Sequence, residues 1–151
     1  MTSDPRIVSE EHWAKKEDVS LFAARKRLRE RPADQQARIP VVLVHGSSNS
    51  ALPTFDLTVP GHSDYSLMDW LALRGWDVWA MDHEGYGRST VTSGNSDIAT
   101  GVEDLKALAR VIAAETGCAE FNLYGLSSGS LRVAAFAQAA PEHAGRIVLD
   151  A

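Results

Sequence analysis

The chain has 151 residues, 44% hydrophobic and 23% charged, with a net charge of −5. That length can bury a core of its own, and the mildly acidic balance gives no electrostatic ground for nucleic acid or an anionic membrane as partner. A lone cysteine, Cys118, excludes an intrachain disulfide, and no apolar run suits a signal peptide or a bilayer span, so a cytoplasmic protein without a membrane partner is expected.

Residues 11–31 have helix-forming composition, and propensity alone reads them as one long helix. The spacing of Ile7, Val8 and Trp13, then Val19, Leu21 and Ala23, about the polar Lys16-Glu17-Asp18 reads instead as two strands and a turn. The basic cluster Arg25-Lys26-Arg27-Leu28-Arg29 is offset by Glu30 and by upstream acids, which suggests a solvated edge. Residues 31–38 read as a polar loop, opened by Pro32 and closed before Pro40.

Pro40-Val41-Val42-Leu43-Val44 is a short continuous apolar run, as for a strand buried on both faces, and it ends in His45-Gly46-Ser47-Ser48. A long irregular loop is expected over residues 47–65, with Pro53, Pro60 and Gly61. Ser66 can cap a helix over residues 67–73, stopped by Gly75. A second apolar run, Trp76-Asp77-Val78-Trp79-Ala80-Met81, closes with Asp82-His83-Glu84-Gly85-Tyr86-Gly87-Arg88-Ser89. Val102, Leu105, Leu108, Ala109 and Ile112 make one apolar stripe on a helix over residues 100–116, ended by Gly117. The third run, Phe121-Asn122-Leu123-Tyr124, enters Gly125-Leu126-Ser127-Ser128-Gly129, and an Ala-rich helix over residues 130–140 follows. Residues 146–149 read as a last strand. Apolar strands alternating with amphipathic helices predict an α/β fold, a mostly parallel sheet with helices on both faces.

Strand, turn and helix around Ser127 are the context that a G-x-S-x-G nucleophile elbow requires. The tight turn lifts the hydroxyl clear of the sheet at the positive end of the following helix. A serine hydroxyl needs a general base to become a nucleophile, and donors for the oxyanion that forms. The backbone N–H of Ser128, the residue after the nucleophile, supplies one donor. A metal site from Asp82, His83 and Glu84 would need neighbours on an extended chain to converge, and no phosphate-cradling motif occurs; no cofactor or metal is expected.

From about residue 39 onward the chain resembles the α/β-hydrolase fold family, on the HG turn, the D-x-x-G-x-G-x-S loop and the elbow. The resemblance implies an antiparallel N-terminal hairpin rather than a helix, with residues 1–38 forming hairpin and loop and residues 39–151 a core within one partial domain. It places the second oxyanion donor at the N–H of Ser47, with Ser48 as the alternative. His45 and Gly46 then brace the oxyanion turn, Asp82 ties its loop together, Gly85 and Gly87 permit the bends, and Arg88 and Ser89 close them. Gly125 and Gly129 let strand and helix pass closely.

In this family the order is serine, acid, histidine. Only His143 follows Ser127, before the last strand rather than after it, and Asp150 stands at a strand end where some members carry the acid. The chain thus looks like the N-terminal half of a serine hydrolase, lacking the catalytic histidine, lid and last strands. Alone it is expected to be poorly active and poorly soluble, with an apolar strand at the sheet edge. The expected substrate is a small carboxylic ester, and a C-terminal segment or subunit completes the site. The alternative, from another class, is a non-catalytic ligand-binding or receptor-like protein on the same fold.

Overall fold

The computed structural model describes residues 4–30, 38–62 and 64–151, so the loop expected over residues 31–38 lies outside the described residues except for Arg38. The N-terminal segment is an antiparallel hairpin, β1 (Ile7–Lys16) and β2 (Val19–Leu28), turning at Glu17 with φ 50°. Helix propensity gives way here because β2 is covered on both sides. Leu21 and Ala23 enter one core, and Phe22 and Ala24 enter the other.

The basic cluster is a solvated edge only at its end, where Arg29 is exposed. Arg25 and Lys26 are 8% and 3% exposed. The Arg25 guanidinium donates to both carboxylate oxygens of Asp77, at 2.8 and 2.6 Å, while Lys26 reaches Asp56 at 2.5 Å and Asp69 at 2.7 Å on the opposite face. Strand alternation sends successive cations to opposite faces, and each meets carboxylates remote in sequence, as buried charges require.

Four more strands complete the sheet: β3 (Val41–Val44), β4 (Val78–Met81), β5 (Phe121–Leu126) and β6 (Ala144–Asp150). Their order is β1-β2-β4-β3-β5-β6, with β4, β3, β5 and β6 mutually parallel. On one face Val42, Val44, Trp79, Met81, Phe121 and Leu123 pack against α3 (Ile98–Thr116) and α4 (Ser128–Ala139). On the other, Leu43, Val78 and Ala80 pack against α1 (Ala51–Phe55) and α2 (Leu67–Ala72). Continuous apolar runs in β3 and β4 follow from this double coverage.

Local signals set the helix starts. The Ser66 hydroxyl accepts the Asp69 N–H at 3.0 Å, and Asp97 accepts the Thr100 N–H at 2.8 Å, so α3 begins two residues before the expected start. The loop expected over residues 47–65 contains the helical turn α1, with Pro53 at its third residue, where a missing N–H breaks no intrahelical bond. Cys118 is half-buried. Among the described residues no helix is long and apolar enough to cross a membrane.

β6 is an edge strand, with Ile147, Val148 and Leu149 exposed. From β3 the chain moves to β4 on one side and later returns to β5 on the other. The carboxyl ends of β3 and β5 therefore flank a topological switch point, the place where open α/β sheets bind ligands.

Candidate active site

Two turns meet at that switch point. At the end of β5, Ser127 is exposed and adopts φ 55°, ψ −125°; among the described non-glycine residues only Glu17 shares a positive φ. Such a conformation costs about 1–3 kcal/mol and persists only where the surroundings impose it. They do so here. The Ser127 N–H donates to the Asp150 carbonyl at 2.6 Å, and its own carbonyl accepts the Ser130 N–H at 2.9 Å. The Ser130 hydroxyl lies within bonding reach of the Gly125 carbonyl at 2.7 Å and the Asp150 carbonyl at 3.0 Å.

Among the described residues, nothing hydrogen-bonds the Ser127 hydroxyl. The Ser128 N–H sits in the first turn of α4, where no intrahelical carbonyl is available to it.

At the end of β3 lies the turn His45-Gly46-Ser47. A methyl group on Gly46 would stand 3.1 Å from Ser127 Cβ and 3.5 Å from Ser127 Oγ, so this turn abuts the serine directly. His45 is fully buried, and both of its nitrogens are occupied: Nε2 accepts the His83 N–H at 3.1 Å, and Nδ1 contacts the Gly46 carbonyl at 2.7 Å. Because a backbone N–H can only donate, Nδ1 carries the proton. Peptide planarity then turns the Ser47 N–H away from the His45 ring. The Tyr86 hydroxyl donates to the Ser47 carbonyl at 3.2 Å, which turns the Ser48 N–H away from that hydroxyl.

Asp82, buried at the end of β4, binds two turns at once. Its Oδ2 accepts the Arg88 N–H at 2.9 Å, and its Oδ1 accepts the Ala51 N–H at 2.8 Å, capping α1. The Ser89 hydroxyl donates to the Asp82 carbonyl at 2.5 Å and accepts the Phe22 N–H at 2.9 Å. Gly87 has φ 49°, and a methyl group there would lie 2.0 Å from Asp82 Oδ2; Gly85, at φ 82°, makes the neighbouring bend. Arg88 forms an exposed pair with Glu11.

His83 has a partner that the sequence reading passed over. Its Nδ1 lies 3.0 Å from Asp104 Oδ2, and the same oxygen accepts the Glu84 N–H at 3.0 Å. The signal available was a carboxylate on the buried face of α3, one residue from the Leu105 of the apolar stripe. Lys16 joins Asp104 and Glu84 from the hairpin, with Nζ–O distances of 2.5 and 2.6 Å. Burial alone would raise the Asp104 carboxyl; the bonds from His83 and Lys16 outweigh it and leave it below its usual range.

Burial lowers both histidines. His45 falls from 6.5 to about 3, helped by the neighbouring His83 and Arg132, and His83 shifts in the same direction against the pull of Asp104. A depressed folded pKa contributes stability above the unfolded value, lost as pH falls toward the folded value. Stability is therefore expected to decline from pH 6.5 toward about 3, by roughly 1.4 kcal/mol per pH unit from His45 alone. Urea midpoints across that window check this; His45→Gln should flatten the slope, and an unchanged slope would contradict a neutral buried His45.

Asp150 offers its carbonyl to the elbow, while its carboxylate accepts the Tyr124 hydroxyl at 2.5 Å. Burial and that bond push Tyr124 up to about 12. His143 contacts the Ala119 carbonyl at 2.7 Å, at the far end of β5 from Ser127. No histidine nitrogen among the described residues bonds the serine hydroxyl. Nor does any group of three His, Cys, Asp or Glu there stand ready to hold a metal ion.

A family model described as serine aminopeptidase, S33, matches residues 61–151. Comparison with curated proteins gives no match. Among solved structures, a predicted CIB-like hydrolase from Thermoplasma acidophilum aligns with a TM-score of 0.70 at 18% identity, over 95% of this chain and 62% of its own. An epoxide hydrolase from Vigna radiata gives 0.69 at 19%, over 93% and 39%. The thioesterase domain from the curacin biosynthetic pathway gives 0.65 at 20%, over 93% and 43%. The chain thus spans from about two fifths to just over three fifths of these relatives, and at such identities the likeness is one of fold.

Proposed function

Because the chain belongs to the serine aminopeptidase S33 family of α/β-hydrolase proteins, we propose that it is a serine hydrolase acting by acyl transfer, with Ser127 as nucleophile and carboxylic esters as its substrate class. The observation that carries this is the strained, exposed Ser127, its hydroxyl free, pressed against the Gly46 turn at the switch point. The Ser128 and Ser47 N–H groups hold the oxyanion. Ser47 is the preferred second donor and Ser48 the alternative, on the likeness of this turn to the family's oxyanion turn; the bond from His45 to the Gly46 carbonyl leaves the Ser47 N–H turned away from the imidazole. Each donor contributes about 3 kcal/mol to the transition state.

In this reading the base is a histidine that the described residues do not bring to the Ser127 hydroxyl. His45 has no free nitrogen, and the buried His83 does not reach the serine. Asp150 serves as a strand-end anchor for the elbow, its carboxylate held by Tyr124, with the acid role open only once a histidine is supplied.

The test is labelling with a fluorophosphonate, with and without millimolar imidazole as an exogenous base. The expected result is slow labelling that imidazole accelerates and that Ser127→Ala abolishes. A folded chain unlabelled even with imidazole would overturn the nucleophile reading and favour a non-catalytic binding protein. Fast labelling without imidazole would instead place a base within the chain.

A further inference from the structure

A continuous set of hydrogen bonds runs from α3 to the turn beside Ser127. Asp104 is fully buried on a 19-residue helix packed into the core, which makes it a rigid reference point. Its Oδ2 fixes the His83 ring at 3.0 Å and the Glu84 N–H at 3.0 Å, so both ends of the 83–84 peptide segment are held from one atom. Lys16 bonds Oδ1 and keeps the carboxylate charged. The His83 N–H, so placed, reaches His45 Nε2 at 3.1 Å, and His45 Nδ1–H holds the Gly46 carbonyl at 2.7 Å. The last link is covalent: a planar peptide turns the Ser47 N–H opposite to that carbonyl.

The geometry points to Asp104 as the positioning residue of the oxyanion turn, acting through His83 and His45 on the aim of the Ser47 N–H. This rests on the reading of Ser127 as nucleophile and of Ser47 as oxyanion donor. It assigns Lys16 a part as well, since that lysine ties the hairpin to the same carboxylate. A buried carboxylate that only satisfied its neighbours would affect stability alone. One that aims a donor affects the histidine tautomer and the rate of attack on an acyl or phosphonyl centre, while leaving ground-state binding in place.

Both consequences are measurable on Asp104→Leu and Asp104→Asn. Nitrogen-15 NMR of the side-chain imidazoles, with His45 assigned through His45→Gln, should show His45 as a single Nδ1–H tautomer in the wild type. A mixture is expected in Asp104→Leu, and an intermediate pattern in Asp104→Asn, which keeps one acceptor oxygen. In the imidazole-supported fluorophosphonate reaction, the limiting rate should fall about ten- to a hundredfold in Asp104→Leu, the scale of a 1 Å misplacement, with half-saturation within twofold. Partial rescue is expected in Asp104→Asn.

A folded Asp104→Leu that keeps one His45 tautomer and the wild-type limiting rate would overturn the assignment. Should the leucine variant not fold, the asparagine variant decides by the same two readouts. Absence of labelling in the wild type would refute the hydrolase reading, and the tautomer readout would then decide the Asp104 assignment by itself.

Discussion

Gly129→Ala is expected to lower stability by about 3 kcal/mol or more. A methyl group on Gly129 would stand 2.3 Å from the Val44 carbonyl oxygen and 2.8 Å from that of His45. Both obstacles are backbone, so no rotamer change can relieve them. α4 would have to move off the end of β3, away from the core that holds Val133 and Phe136 against Val42 and Val44. Since domains of this size are stable by only about 5–15 kcal/mol, one such displacement removes a large fraction of the total. Urea midpoints beside Gly94→Ala provide the check, because at Gly94 the nearest foreign atom is a side-chain oxygen 3.3 Å away. A Gly129→Ala chain within about 1 kcal/mol of wild type would contradict the close helix–strand approach.

The second large effect is expected from Asp82→Asn, at about 3 kcal/mol. The buried Asp82 carboxylate accepts two backbone N–H groups, from Ala51 and from Arg88, one on each oxygen. An amide has a single acceptor oxygen, so one of the two N–H groups would face an NH2 donor in a buried site. Hydrogen bonds to a charged acceptor contribute about 1.5–3 kcal/mol each, and leaving a buried donor unsatisfied adds a cost of similar size. The loss should also reach the chemistry: α1 follows the Gly46 turn and Tyr86 holds the Ser47 carbonyl, so releasing Asp82 loosens the oxyanion turn from both sides. Equilibrium unfolding of Asp82→Asn and Asp82→Ala measures the stability term, with alanine costing more. A substitution tolerated within 0.5 kcal/mol, the usual range for a surface change, would mean that these loops are held by other contacts.

How much of this was legible beforehand differs by element. The strands β3 and β4 could be read because burial on both faces writes itself as an unbroken apolar run. The elbow could be read because a tight strand-to-helix turn tolerates few residue types at its flanks. Caps at Ser66 and Asp97 are local chemistry, and the first was predicted while the second shifted a helix start by two residues.

The hairpin was ambiguous, since residues such as Glu11, Ala24 and Lys26 favour a helix unless a sheet is already there to receive them. α1 was missed because proline and polar residues signal a loop, and only the carboxylate of Asp82, 31 residues away, supplies its cap.

The sequence by itself determined the fold, the position of the nucleophile candidate and the two turns that flank it, because apolar periodicity and turn chemistry act between residues near in the chain. The tertiary structure alone decided the fate of the charged groups. Arg25 and Lys26 became buried ion pairs, His83 found Asp104, and the Ser47 amide acquired a direction through the bond to the Gly46 carbonyl. A buried charge requires a partner but does not specify which one, and that choice is made by whichever element the sheet brings alongside.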